Sequence, residues 1–102
     1  MKFSLAFLVA GSVSMAAAWN ITTFSDDKCT HSTGWDISLT TTIGCISLPE
    51  PVGSILVENM ADDLHFIGSS GYACDVFHQS GGNGCYTQGQ DFQSVEVIPF
   101  NQ

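Results

Sequence analysis

The sequence predicts an all-β domain, a sandwich of short antiparallel strands stabilised by disulfides. Three observations predict it. Apolar residues recur with period two in several short segments, turns rich in glycine or proline separate those segments, and no segment is long enough for a well-defined amphipathic helix. Four cysteines supply the staples.

Ahead of the first such segment, Met1 and Lys2 form a minimal basic opening, 3–15 is an apolar run softened by Ser and Gly, and Ala16, Ala17 and Ala18 offer small residues before Trp19. That is the pattern of a secretory signal peptide. The apolar run is shorter than the roughly 20 residues a spanning helix needs, and no basic flank follows it. The expected organisation is a leader, 1–18, and one domain, 19–102, secreted and extracellular with no membrane insertion.

Loss of Lys2 with the leader leaves Lys28 as the single cation against ten carboxylates, and moves the formal charge from −8 to −9. There is no arginine. Phosphate recognition leans on guanidinium groups and nucleic-acid affinity on cationic contacts, so nucleic acid is excluded as a partner. The acidity also opposes attack on anionic membranes.

A chain of this size buries only about 60–65% of its unfolded surface, so its core needs reinforcement. Cys29, Cys45, Cys74 and Cys85 are even in number, all follow the leader and enter an oxidising compartment, which predicts two disulfides. Three connectivities are open. Cys29–Cys45 with Cys74–Cys85 is the favoured one, since each bond closes a loop within one half of the chain and stabilises by about 3 kcal/mol. A zinc site would need paired, closely spaced cysteines, which are missing.

The segment 19–24 is β-branched and aromatic, a strand, and 25–28 is its polar turn. Asn20-Ile21-Thr22 is an N-glycosylation sequon, which makes Asn20 the glycosylation candidate. Trp35, Ile37 and Leu39 alternate with Asp36, Ser38 and Thr40 as a strand with one wet face, and 45–48 is a further short one. Pro49, Pro51 and Gly53 predict a turn over 49–53, and 54–58 resumes the strand pattern. The stretch 59–70 reads as a loop or a single helical turn, with 68–71 as turn material. Strands are expected at 72–77, 85–87 and 92–98, with a glycine-rich turn over 80–84 and Pro99 closing the last. About seven strands result, an all-β sandwich or Greek-key barrel.

The halves share an order. Phe24 with a polar turn and Cys29 leads to Ser54-Ile55-Leu56-Val57; Phe77 with a glycine-rich turn and Cys85 leads to Ser94-Val95-Glu96-Val97. That order resembles the βγ-crystallin-like Greek-key superfamily, and in particular the small secreted, cysteine-containing fungal proteins similar to it. The resemblance covers most of 19–102 and implies a Greek-key sandwich, with Phe24 and Phe77 in the aromatic role and Ser54 and Ser94 in the serine role. It also implies a calcium test, because crystallin-like sites place an acidic or amide pair just before that serine strand. The corresponding stretches, 49–54 and 89–94, lack the pair, and Asp26-Asp27 is followed by Lys28. No cofactor is expected.

For catalysis the candidates are His31, His65 and His78 with Asp36, Glu50, Glu58, Asp75 and Glu96. A ribonuclease would need a cation for the charge developing on phosphorus, and a glycosidase a groove with two facing carboxylates. The sequence offers neither, nor any Gly-x-Ser-x-Gly or His-Glu-x-x-His motif. The expectation is a non-enzymatic, effector-like, monomeric protein whose scaffold presents loops to a host or competitor macromolecule, a protein or a cell-wall component. Its interaction candidates are Trp35, Tyr72, Tyr86 and Phe100. The alternative is a killer-toxin-like antimicrobial protein; a small secreted hydrolase or ribonuclease ranks below both.

Overall fold

A computed structural model describes residues 18–76 and 78–99. Residues 1–17 of the expected leader, Phe77, and 100–102 with Phe100 lie outside the described residues. Among the described residues eight strands follow one another: β1 (Trp19–Phe24), β2 (Ser32–Leu39), β3 (Ile43–Val52), β4 (Ser54–Glu58), β5 (Leu64–Ser69), β6 (His78–Gly81), β7 (Gly84–Tyr86) and β8 (Phe92–Pro99). Among the described residues there is no helix. The all-β expectation holds.

The strands form two antiparallel four-stranded sheets, ordered β2-β1-β4-β7 and β3-β8-β5-β6. Each half of the chain keeps three strands in one sheet and sends its third strand to the other. β3 crosses to pair with β8, and β7 crosses to pair with β4. Shifting every strand by four positions converts one sheet into the other, so the halves exchange edges around a pseudo-twofold relation.

Alternation builds the core from both inner faces. Trp19 and Ile21 of β1, Ile55 and Val57 of β4, Phe66 of β5, and Phe92, Val95 and Val97 of β8 are buried together with Leu48, Val52 and Met60. The Trp19 indole N–H donates to the Thr41 carbonyl at 2.9 Å, which anchors the first strand to the β2–β3 turn. Equivalent residues of the two halves are buried alike, since Ser54, Ile55 and Val57 match Ser94, Val95 and Val97 position by position.

Several sequence expectations are corrected. β3 runs straight through Pro49 and Pro51, ending only at Val52. It is an edge strand, where a missing N–H faces no partner, and its pairing with β8 is irregular between Ser47 and Val52. The stretch expected to hold a helical turn contains β5, and Gly68 lies inside that strand. A Cβ on Gly68 would stand 2.6 Å from the Phe66 ring and 3.0 Å from Phe92, so this glycine marks a close approach rather than a turn. Residues 72–76 are a loop instead of a strand, and strand β6 begins at His78, overlapping the expected turn at Ser80 and Gly81.

The disulfides are Cys29–Cys85 and Cys45–Cys74, not the pairs within each half. The strand exchange is the cause. Each third strand, bearing Cys45 or Cys85, has moved to the other half's sheet, out of reach of the cysteine nearest in sequence.

Candidate functional site

The best-defined surface features are two equivalent loops, loop I (25–31) after β1 and loop II (70–76) after β5. Each closes in the same way. The backbone N–H of Ser25 donates to the His31 carbonyl at 2.8 Å, and that of Ser70 to Val76 at 3.0 Å. The hydroxyls of the same two serines add donations at 3.3 and 3.2 Å. Cys29 and Cys74 both take the left-handed conformation, with φ of 56° and 59°. For a residue with a Cβ that costs on the order of 1 kcal/mol or more, so surrounding bonds must enforce it.

The enforcing groups are Ser54 and Ser94, both fully buried. Ser54 Oγ accepts the Cys29 N–H at 2.9 Å and donates to the Asp26 carbonyl at 2.7 Å. Ser94 Oγ accepts the Cys74 N–H at 3.0 Å and donates to the Gly71 carbonyl. Each loop is thus pinned by a serine of its half's last strand, Ser54 at the start of β4 and Ser94 within β8, and by a disulfide to the crossed strand of the other half.

This geometry revises the internal match of the halves. Cys29 is equivalent to Cys74, not to Cys85, and the residue equivalent to Phe24 is Ser69, not Phe77. The serine pairing, in contrast, holds.

The same frame carries different chemistry on the two sides. In loop I the Asp26 carboxylate folds inward over the turn, accepting from the Lys28 and Thr30 N–H groups at 3.1 Å each, from His31 N–H at 2.9 Å and from the Thr30 hydroxyl. The Thr30 hydroxyl is the largest influence holding its pKa well below the ordinary 3.8; desolvation opposes it, and the three N–H donors reinforce it. His31 Nδ1 lies 3.8 Å from the same carboxylate, and its side chain is largely exposed. Loop II has Gly71 in place of Asp26. A Cβ there would come within 2.9 Å of a Val76 methyl. Tyr72 is 64% exposed and Val76 51% exposed, two of the three most exposed large apolar residues among those described. The Tyr72 carbonyl also accepts from the Ser47 hydroxyl at 3.1 Å, tying loop II to β3.

The remaining predicted residues are dispersed. Trp35 is half-buried and packs against the core. Tyr86 is half-buried too, its ring 5.2 Å from Phe66 and its hydroxyl donating to the Gly82 carbonyl at 2.7 Å, and burial raises its pKa. Asn20 lies in β1, its amide donating to the Thr22 hydroxyl of the sequon at 3.0 Å. His65 is half-buried in β5, while His78 is exposed. Asp26, Asp27 and Asp91 share the lining of an open groove of about 300 Å³ with Ser25, Gly53 and Thr87. Among the described residues no cluster of three or more His, Cys, Asp or Glu is arranged to hold a metal ion. No described helix is long and apolar enough to cross a membrane. Sequence reasoning singled out Tyr72 but missed Val76 and the loop that unites them; the repeated Ser-x-x-x-Cys of 25–29 and 70–74 was the available signal.

Compared with protein-family models, with curated proteins and with solved structures, the chain matches none.

Proposed function

We propose that this chain is a secreted, non-enzymatic, effector-like interaction protein, monomeric on its own, with a βγ-crystallin-like Greek-key scaffold that presents loop II to a host or competitor macromolecule. The observation that carries the reading is the combination of exposure and constraint at Tyr72 and Val76. An exposed aromatic on a loop already fixed by a disulfide, two serine clamps and a closing hydrogen bond loses little conformational entropy on binding, which is what an interface anchor requires.

The crystallin-like assignment draws support from the crossed third strands and from the matching roles of Ser54 and Ser94. Secretion draws support from the leader pattern and from the two disulfides. The reading needs no cofactor, and the Asp26 carboxylate already spends its oxygens on hydrogen bonds within loop I.

The test is capture of partners from host apoplast or cell-wall extract by the oxidised, secreted protein, beside a Tyr72→Ser/Val76→Ser variant. A specific partner that the variant loses is expected. Equal capture by both proteins, or none by either, would overturn the reading.

A further inference from the structure

We propose that the outer edge of β2 is a second docking site, which takes an extended, cationic segment of a partner protein as a fifth strand of the β2-β1-β4-β7 sheet. The proposal rests on the reading of the chain as an interaction protein but uses none of the loop II side chains. Among the described residues four strands form sheet edges, and three are blunted. β3 carries Pro49 and Pro51 and pairs irregularly, β6 has four residues, and β7 has three. β2 has eight residues, and its pairs with β1 are unbroken from Asp36 opposite Thr22 to Leu39 opposite Trp19. In an antiparallel pair alternate residues direct their N–H and C=O groups away from the partner, so this run offers a regular ladder on its outer side.

The side chains state what would fit. Trp35, Ile37 and Leu39 share the inner face; Trp35 and Ile37 are only half-covered, and Leu39 is 42% exposed. Asp36 and Ser38 share the outer face, and among the described residues no ion pair neutralises Asp36. An added strand therefore wants apolar side chains toward Trp35, Ile37 and Leu39 and a cation opposite Asp36. The charge of the whole chain, ten carboxylates with Lys28 as the sole cation after the leader, steers a basic partner in and repels a second copy.

The probe is a ten-residue peptide of alternating lysine and valine, titrated into the oxidised, secreted protein, with affinity and amide hydrogen exchange as readouts. Binding is expected to protect alternate amides over 35–39, whereas the glutamate–valine counterpart does not bind. Asp36→Lys and Leu39→Lys should each weaken binding about tenfold, and Asp36→Asn about threefold. Asp91→Lys, with the same net charge as Asp36→Lys, should stay within about twofold of the parent. Retained amide protection in β1 verifies that each variant is folded. Tyr72→Ser should leave peptide affinity unchanged. Equal losses in Asp36→Lys and Asp91→Lys, protection outside β2, absence of binding, or a loss in Tyr72→Ser would overturn the proposal. So would dimerisation of the protein that Leu39→Lys abolishes, which would assign the edge to a second copy.

Discussion

Replacing Ser94 by alanine is the sharpest perturbation of this architecture. The hydroxyl is fully buried, accepts from Cys74 N–H and donates to the Gly71 carbonyl. Its removal leaves a backbone donor and a backbone acceptor without partners, each at a cost of about 1–2 kcal/mol, so about 2–4 kcal/mol in sum. With a urea m-value of about 1 kcal/mol/M for a chain of this size, the midpoint of unfolding falls by about 2–4 M. Ser54→Ala removes the same two bonds in the other half and should cost the same within about 1 kcal/mol. Ser69 supplies the control. It is equally buried, but its hydroxyl has no hydrogen-bond partner, so Ser69→Ala should be neutral or stabilise by about 1 kcal/mol. The assay is equilibrium urea unfolding of the oxidised proteins, followed by tryptophan fluorescence. A cost below about 0.5 kcal/mol for Ser94→Ala, or an equal cost for Ser69→Ala, would refute the clamp.

Non-reducing proteolysis with mass spectrometry should recover Cys29 linked to Cys85 and Cys45 linked to Cys74. Removing either bond should lower stability by about 4 kcal/mol, given sequence separations of 56 and 29 residues. Gly53→Ala should cost about 2–3 kcal/mol in the same urea assay, because its Cβ would meet the Asp26 carbonyl oxygen at 2.6 Å and backbone cannot swing aside. The folded pKa of Asp26 is depressed, so its stabilising contribution is complete above the ordinary carboxylate value and is lost only as pH falls through the folded value. A carboxyl NMR titration should therefore place the Asp26 midpoint well below the ordinary carboxylate value of 3.8, and Asp26→Asn should remove that acid-range contribution.

The strands with one wet face were legible because alternation reports which side is buried. β1 and β4 fall where the pattern puts them, while β2 begins ahead of the alternation, at Ser32. β5 was not, because Gly68 and Ser69 read as turn residues while the first packs beneath two rings and the second is fully buried. β3 was cut short for a related reason, since proline ends a central strand but not an edge, and edge position is a property of the whole sheet. The serines announced themselves by the aliphatic run that follows each one. The cysteines misled because proximity in sequence is a good guide to pairing only where consecutive strands stay in one sheet. The clue was present: Ser-x-x-x-Cys opens each loop, and Cys45 stands as far ahead of Ser54 as Cys85 does of Ser94. Loop II was legible only as an aromatic residue. That Tyr72 points outward depends on the Ser94 clamp, a contact between residues far apart in the chain.

The nested bonds also set an order of events during biosynthesis. A chain entering an oxidising compartment from its N-terminus exposes Cys29 and Cys45 first, and the native fold uses neither as partner of the other. Cys85 arrives near the end, with β7, and only then can the outer loop close. Any Cys29–Cys45 bond formed early must be opened by thiol exchange before β3 and β7 can trade sheets. The expected limit on maturation is then disulfide reshuffling, not oxidant. Co-expression with a disulfide isomerase should raise the yield of folded protein more than a stronger oxidising environment does.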